Sequence, residues 1–162
     1  MLLTTLERYK SKYEITDNAL DDQITMEIEQ VSAEIETTCN RIFAETDYEV
    51  VMYGSGTNEL LLNEYPIKTA TVADYTEFVI NKKAGILQSG SVWSPTVKYT
   101  INFTAGYATI PADIEKACMI MVSMGLERRG SEHLKTEVVG PLRSDFATNF
   151  PDILEKYRKI PL

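Results

Sequence analysis

Few residues in this chain have the types and spacing that chemistry requires. A Ser-His-Asp or Cys-His catalyst needs a histidine to move protons, and the one histidine among the 162 residues is His133, in a polar stretch. Zinc needs several Cys or His ligands at short spacing, whereas Cys39 and Cys118 lie far apart. We interpret His133 as a solvated loop residue and the cysteines as reduced, largely buried thiols. The sequence therefore predicts no catalytic residues and no metal site.

Phosphate and carboxylate chemistry have weak candidates as well. The glycine-rich stretch 54–57, GSGT, could cradle a phosphate, but it lacks the Gly-Lys-Ser/Thr ending and precedes a strand pattern, so we interpret it as a hairpin turn. The carboxylate pairs Asp21/Asp22 and Glu34/Glu36 occupy adjacent or alternate helix positions, which do not converge on one point. We predict no cofactor and no enzyme activity, with a dispersed carboxylate site as an alternative.

Composition and charge narrow the classes of partner. The net charge is −8 and the pI is about 4.7, so the chain repels nucleic acid at long range, and it lacks a basic patch for phosphate contacts. No segment approaches the roughly 18 apolar residues of a membrane span, so we expect a soluble protein with no membrane partner. A length of 162 residues fits one compact domain, and we predict a single domain over 1–162.

Two helices are predicted near the N-terminus. Thr4, as N-cap, and Glu7 fit a capping box, which predicts a short helix that ends near Lys12. A long amphipathic helix is predicted over about 17–40 and ends at Asn40, a residue that tolerates left-handed backbone. Its apolar residues recur at steps of three or four and form one stripe: Leu20, Ile24, Ile28, Val31, Ile35, Cys39 and Ile42.

From residue 48 to residue 104 the apolar period changes from 3.6 to 2, which is typical of antiparallel strands separated by turns. The predicted strands are 48–53, 59–62, 69–74, 77–80, 86–88 and 97–104. Along the last strand, Ile101 and Phe103 alternate with Asn102 and Thr104. We therefore expect a sheet with one buried face and one wet face.

The junction YTINFTAGYATIPADIEKA, residues 99–117, leads from this region into a helix. Gly106 allows a sharp turn and Pro111 suits the first turn of a helix, so a second core helix is predicted over about 111–129. This helix is apolar over a wide arc. Gly125 inside it is unfavourable for a helix and indicates the close approach of another backbone.

The C-terminal part is predicted to be mostly extended. Residues 131–150 lack a convincing period and contain Gly140-Pro141, which would break a helix, so we predict an extended arm with a functional role. A short C-terminal helix follows from Pro151. The predicted fold class is α+β: a mainly α-helical bundle with an antiparallel β insertion at about 48–104.

Four stretches of the chain occur in an order typical of one family. They are the N-terminal TTLERYKSKYEITDNALDDQITMEIEQVSAEIETTCNRIF, the turn Tyr65-Pro66-Ile67, the junction INFTAGYATIPADIEKA and the tail VVGPLRSDFATNFPDILEKYRK. In this order they resemble the head–tail connector (head-completion or adaptor) proteins of long-tailed bacteriophages and prophages. Asn40 stands where a glycine is common in that family, and the β region is longer than in its most compact members.

This resemblance implies a structural protein of the virion neck, made in the cytoplasm of a bacterial host. Such a protein docks under the portal as a homo-oligomeric ring, extends the DNA channel and offers a platform for stopper or tail proteins. The expected partners are the portal protein, a downstream neck or tail protein and further copies of the chain. DNA is expected to pass without specific binding, and a net negative ring agrees with this because it repels phosphates.

A ring needs a heterologous interface, in which one surface of a subunit meets a different surface of the next. We expect that interface, or the portal contact, in the 131–150 arm and the last helix, at the apolar residues Val138, Leu142, Phe146, Phe150, Leu154 and Tyr157. Two alternatives stay open. One is a stopper or tail-end neck protein, and the other is a small monomeric module that captures a peptide or a β edge through the 48–104 sheet.

Overall fold

The computed structural model describes residues 2–127, 136–139, 142–145 and 152–159, with side chains for 2–127 and 154–159. The chain divides into two compact units. The first consists of Met1–Arg41 and Pro111–Leu162, and the second consists of Ile42–Ile110. One connector domain over 1–162 stays a prediction.

Three α-helices build most of the first unit: Leu6–Lys12 (α1), Asp21–Cys39 (α2) and Ala112–Glu127 (α3). Helix α1 is capped by Thr5, whose hydroxyl accepts from the Arg8 N–H over 3.3 Å, so the cap lies one residue after the predicted Thr4. Helix α2 begins later than predicted, without a side-chain cap. Its end is confirmed, because Asn40 adopts the left-handed conformation with φ of 51°.

The core of the first unit lies between α2 and α3 and confirms most of the predicted stripe. Leu20 and Ile42 are exceptions, since both lie outside α2 and are about two-fifths exposed. Gly125 is not approached by another backbone: a Cβ there would overlap the side chain of Glu27 on α2. The buried residues of α2 and α3 are Ile24, Ile28, Val31, Ser32, Ile35, Cys39, Ile114, Ala117, Cys118, Met119 and Val122.

Six strands build the second unit, and each overlaps a predicted strand. Their bounds are Thr46–Tyr53 (β1), Glu59–Leu61 (β2), Ile67–Val72 (β3), Phe78–Asn81 (β4), Ile86–Ser89 (β5) and Lys98–Ala105 (β6). They form two antiparallel sheets, with strand orders β1-β6-β3 and β2-β5-β4. The expected two-faced pattern is confirmed on β6, where Ile101 and Phe103 are buried and Asn102 is exposed.

The second unit has a core of its own. Trp93 is 1% exposed and lies against the rings of Tyr75, Phe78 and Tyr99, with centroid distances of 4.8, 6.3 and 5.0 Å. Aromatic pairs at such separations add to the burial of apolar area. The buried residues of this cluster come from both sheets and their connections: Leu60, Leu62, Ile67, Val72, Leu87, Trp93, Ile101, Phe103 and Ala105.

The predicted mainly α-helical bundle is therefore wrong. The described chain has three α-helices and two three-stranded antiparallel sheets, about 35% helix and 27% strand. The β region lies between the two sequence segments of the first unit, as predicted for an insertion, but it is a compact unit with its own buried cluster. The physical reason is that paired strands with one apolar face can bury enough surface together to form a core.

The remaining elements belong to the C-terminal part. Strands Thr136–Val139 (β7) and Leu142–Asp145 (β8) form a separate two-stranded antiparallel hairpin. A 3₁₀-helix, Asp152–Tyr157, lies against α2 and α3. The extended backbone expected around Gly140-Pro141 is thus present in the strands on either side. The rest of the predicted 131–150 arm lies outside the described residues.

Gly106 directly follows β6, at the end of the β1-β6-β3 sheet, and any other residue at this position would be strained. Its φ is 115°, its N–H donates to the Pro66 carbonyl over 2.9 Å, and a Cβ would overlap the Ala44 carbonyl.

We expect Gly106→Ala to lower the free energy of unfolding by about 1–3 kcal/mol or more, because alanine is strained at this φ and its Cβ has no space. Gly90→Ala is the matched control, because a Cβ at Gly90 meets nothing within 4 Å, and it should change stability by no more than about 1 kcal/mol. Denaturant unfolding measures the stability of both variants. Equal stability of Gly106→Ala and Gly90→Ala would contradict the expectation.

Candidate assembly interface

The six predicted interface residues fall into three groups. Val138 and Leu142 lie in the hairpin, on β7 and β8, where Val138 pairs with Arg143 and Leu142 pairs with Val139. Phe146 and Phe150 lie outside the described residues. Leu154 and Tyr157 lie in the 3₁₀-helix: Leu154 is 3% exposed inside the first unit and Tyr157 is half-buried. Their role in contacts between chains stays a prediction.

The 3₁₀-helix contacts α3 through the carboxylate of Asp113, and the chain just after it contacts α2 through a backbone hydrogen bond. The Tyr157 hydroxyl lies 2.9 and 3.0 Å from the two oxygens of Asp113, in the first turn of α3, and Lys156 forms an ion pair with the same carboxylate. The Lys159 N–H donates to the Cys39 carbonyl over 2.9 Å. We call these contacts the C-terminal anchor. They fasten the chain just after the predicted arm.

Electrostatics favour the charged form of Asp113. Burial alone would raise the pKa of this carboxyl, but the hydrogen bonds from Lys156, from Tyr157 and from the Ile114 N–H together hold its pKa below the usual range. Asp113 is therefore ionised at neutral pH. The anchor is charge-assisted, which makes its hydrogen bonds stronger than neutral ones.

Both thiols are buried, and their protonated form is favoured at neutral pH. Burial raises the pKa of Cys118 to about 11, and burial likewise raises the pKa of Cys39. Cys118 lies 3.9 Å from the Ser32 hydroxyl, and the Cys39 thiol lies 3.9 Å from the Leu154 carbonyl. Both positions agree with the interpretation of the cysteines as buried thiols.

The glycine-rich stretch 54–57 uses its backbone N–H groups within the fold. The Gly54 N–H donates to the Val97 carbonyl over 3.2 Å, and the Gly56 N–H donates to the Trp93 carbonyl over 2.8 Å. These donors are therefore not directed at a ligand. His133 lies outside the described residues, and within the described ranges no three His, Cys, Asp or Glu side chains are placed to share a metal ion. Nor does any described helix have the length and apolarity to cross a membrane.

Exposed apolar side chains concentrate on the strands of the second unit. Val51 and Tyr53 on β1 are 58% and 57% exposed, and Val79 on β4 is 69% exposed. On the same face of the β1-β6-β3 sheet lie the exposed acidic residues Asp47 and Glu49, because the register alternates along β1. This surface carries both apolar area and negative charge. Exposed apolar area of this kind is a candidate contact surface.

Sequence reasoning missed the C-terminal anchor. It offered the 48–104 sheet as a surface that could capture a peptide or a β edge, but it did not single out β1. Asp113 and Tyr157 are 44 positions apart, and no local pattern connects them. The only available signal was the acidic residue in the first turn of a helix, which equally fits the helix dipole. β1 was predicted as a strand, but which strand lies at a sheet edge depends on pairing between distant segments.

Removing the charge or the phenol of the C-terminal anchor should loosen residues 152–159. We expect Asp113→Asn and Tyr157→Phe each to speed amide exchange in this segment about fivefold or more, because a hydrogen bond to a charged group is lost. Glu155→Gln is the matched control, since the Glu155 side chain is 72% exposed. Exchange rates equal in all three variants would contradict the expected role of Asp113.

The C-terminal anchor should also weaken in acid. Because the folded pKa of Asp113 is lowered, its contribution is fully present above about pH 4 and is lost as the pH falls through the folded value. Lys156 and Tyr157 keep their protons throughout that range. An NMR titration of the Tyr157 ring should show a transition below about pH 4 that is absent in Asp113→Asn. A transition that persists in that variant would assign it to another carboxylate.

Comparison with known proteins identifies a family. The family model described as "HCP: Head completion protein" matches residues 2–160. No curated protein sequence matches the chain. The fold is similar to a solved structure titled "Neck of empty GTA particle computed with C6 symmetry", with a TM-score of 0.63 and 12% identity over 99% of this chain and 91% of that chain.

Two further solved structures are similar. One is titled "Neck of native GTA particle computed with C12 symmetry", with a TM-score of 0.57 and 16% identity over 97% of this chain and 89% of that chain. The other is titled "Virion of native gene transfer agent (GTA) particle", with a TM-score of 0.58 and 14% identity over 99% of this chain and 91% of that chain. At these identities the likeness shows the fold alone. Because the family model matches almost every residue, the chain belongs to the head completion protein family.

Proposed function

We propose that this head completion protein is a structural head–tail connector, one subunit of a ring in the virion neck. The family match over residues 2–160 is the observation that carries this function. The ring docks under the portal, extends the DNA channel and provides the platform for the next neck or tail protein. The expectations drawn from the resemblance in the sequence thus lead to the same role.

Ring formation is supported by the particles to which the fold is similar. Two of those structures are necks computed with C6 and C12 symmetry. A cyclic assembly needs two different surfaces on each subunit, and the rotation between neighbours must close. In this chain the exposed apolar residues of β1 and the separate β7–β8 hairpin are two such surfaces.

The charge of the chain suits a channel through which DNA slides. A net charge of −8 repels phosphates, so DNA is not held by counterion release. The wet face of the β1-β6-β3 sheet carries the exposed residues Thr69, Thr71 and Asn102, the acidic residues Asp47 and Glu49, and the exposed Lys98 beside Tyr53. Lys98 is outnumbered by Asp47 and Glu49, so these groups do not form a basic surface that would hold DNA.

The chain acts without catalysis in this proposal. Both thiols are buried with raised pKa values, and the Gly54 and Gly56 N–H groups are committed to backbone carbonyls. A structural role needs only stable surfaces and correct assembly. Function then depends on contacts between chains. In this proposal a single substitution changes function when it changes the assembly of the ring.

Native mass spectrometry of the purified protein, alone and mixed with its candidate portal, tests the proposal. We expect a closed ring or several copies bound to one portal assembly, because many weak contacts act together in a ring. A monomer that ignores the portal would overturn the connector function and favour the monomeric binding module. Binding only to a preformed portal–connector complex would instead assign the stopper position.

DNA affinity gives an independent check. We expect the purified protein to bind duplex DNA more weakly than about 10⁻⁴ M at physiological salt, the weak limit of ordinary non-specific binding. Fluorescence anisotropy over a salt series measures this affinity. Micromolar binding that weakens steeply with salt would contradict a passive channel, because it would require a basic contact surface.

A further inference from the structure

The outer edge of β1 is an open site for another strand. The β1-β6-β3 sheet ends at β1, and within the described residues no strand pairs with its outer side. β1 has eight residues, TDYEVVMY, paired with β6 without a register shift, and contains neither proline nor lysine. Proteins protect sheet edges with short strands, bulges, prolines or charged side chains, especially lysines. β1 is long and regular, and its only charged residues are the acidic Asp47 and Glu49 in its first half.

The opposite edge of the sheet, at β3, is protected, unlike the edge at β1. Its pairing with β6 shifts register between Ile67 and Thr69, and Lys68 lies at the irregularity. The Ile67 N–H donates to the Lys82 carbonyl over 2.8 Å, so part of this edge is already occupied. One sheet therefore has one blocked edge and one open edge. A sheet with one open edge can accept a strand from a different surface of a neighbouring subunit, which is the arrangement of a heterologous contact.

The hydrogen-bond register identifies the free peptide groups of β1. The Gly54 N–H donates to the Val97 carbonyl, opposite it in the same register, so every second residue of β1 bonds to β6. The Ala73 N–H donates to the Thr100 carbonyl, which confirms that Thr100 faces β3 and not β1. The peptide groups that point away from β6 therefore belong to Asp47, Glu49, Val51 and Tyr53.

The side chains of β1 are also incompletely covered. Val50 faces the core side, opposite Ile101, and is still 36% exposed. Val51 and Tyr53 on the other face are 58% and 57% exposed. A strand added beside β1 would cover both faces while it satisfies the open peptide groups. Strand addition of this kind gets affinity from the main chain and specificity from side chains on alternate positions.

The β7–β8 hairpin is the matching element in the chain. Its strands form a two-stranded sheet of their own, and such a hairpin is marginally stable in water without a further partner. β7 includes Val138 and Val139, and β8 includes Leu142, residue types that suit a half-buried strand. Among the described strands, β7 and β8 pair with each other, and β1 pairs with β6. The outer edge of β1 and the hairpin are therefore both candidates for pairing with other copies.

We propose that, in the ring, the outer edge of β1 of one subunit takes up the β7–β8 hairpin of the neighbouring subunit. This inference rests on the proposed ring and names the contact that closes it. The edge and the hairpin are different surfaces, so the contact is heterologous and can repeat around a ring. The sheet of each subunit then continues into the next subunit.

Amide exchange of the full chain tests the proposal residue by residue. In the free subunit the N–H groups of Tyr48, Val50 and Met52 should exchange slowly, whereas those of Glu49 and Val51 should exchange fast. In the assembled ring, labelled, dissociated and read by NMR, the fast set should slow at least about tenfold. The slow set serves as an internal control, since its protection comes from β6 in both states.

Two variants identify the occupant. Val51→Pro removes one outward N–H and tests the edge, with Val51→Thr as a matched control that keeps the N–H and the branched side chain. Replacement of 136–145 by a Gly-Ser linker removes the hairpin. Each should lower the fraction of ring in native mass spectra at least about tenfold, whereas Val51→Thr should not. Thermal unfolding of the free variants verifies that the second unit still folds.

The failures of the two proposals are distinguishable. If the wild-type chain forms no ring and binds no portal, the connector function itself fails. If the ring forms while Glu49 and Val51 still exchange fast, the edge is not used and the inference is overturned. If these amides slow but also do so without the hairpin, another segment occupies the edge, and the hairpin assignment is overturned.

Discussion

Strand β6 is the element on which the second unit depends. It is the central strand of the β1-β6-β3 sheet, and its residues Ile101 and Phe103 are buried in the core that the two sheets share. Both other strands of the sheet pair with β6. β1 pairs with β6 along the whole length of both strands, and β3 pairs with β6 with a register shift between Ile67 and Thr69. Because this sheet has three strands and β6 uses the hydrogen-bonding groups on both of its sides, β1 and β3 are its two edges. The open edge of β1 is thus a consequence of the position of β6.

The elements that local patterns determine could be predicted from the sequence. The period-two alternation around Ile101 and the left-handed Asn40 at the end of α2 correctly placed the strands and a helix end. The fold class could not be predicted in the same way. Periodicity counts strands, but it does not reveal that Leu60 lies opposite Leu87 and that both pack with Trp93 in a separate core. That core depends on pairing between segments that are distant in the sequence.

The positions of the candidate interface residues in the fold could be predicted only in part, for the same reason. Apolar residues in a stretch without helical period drew attention to Val138 and Leu142, which do lie in a separate hairpin. Leu154 and Tyr157 share that apolar character, yet within the chain they fasten the 3₁₀-helix through burial and through Asp113. Side-chain type alone does not distinguish a residue that packs within its own subunit from one that contacts another subunit. The distinction needs tertiary contacts.

An open edge would normally be a hazard, because identical chains could pair through it without order. The charge of the chain limits this. Each copy carries a net charge of −8, and Asp47 and Glu49 stand on β1 itself, so two β1 edges that approach each other bring like charges together. Edge-to-edge association of β1 with β1 is thus disfavoured. β8, whose sequence is LRSD, carries Arg143 and Asp145 and so adds no net negative charge to the edge that we propose it joins. The acidity that suits the proposed DNA channel therefore also disfavours pairing between two copies of β1.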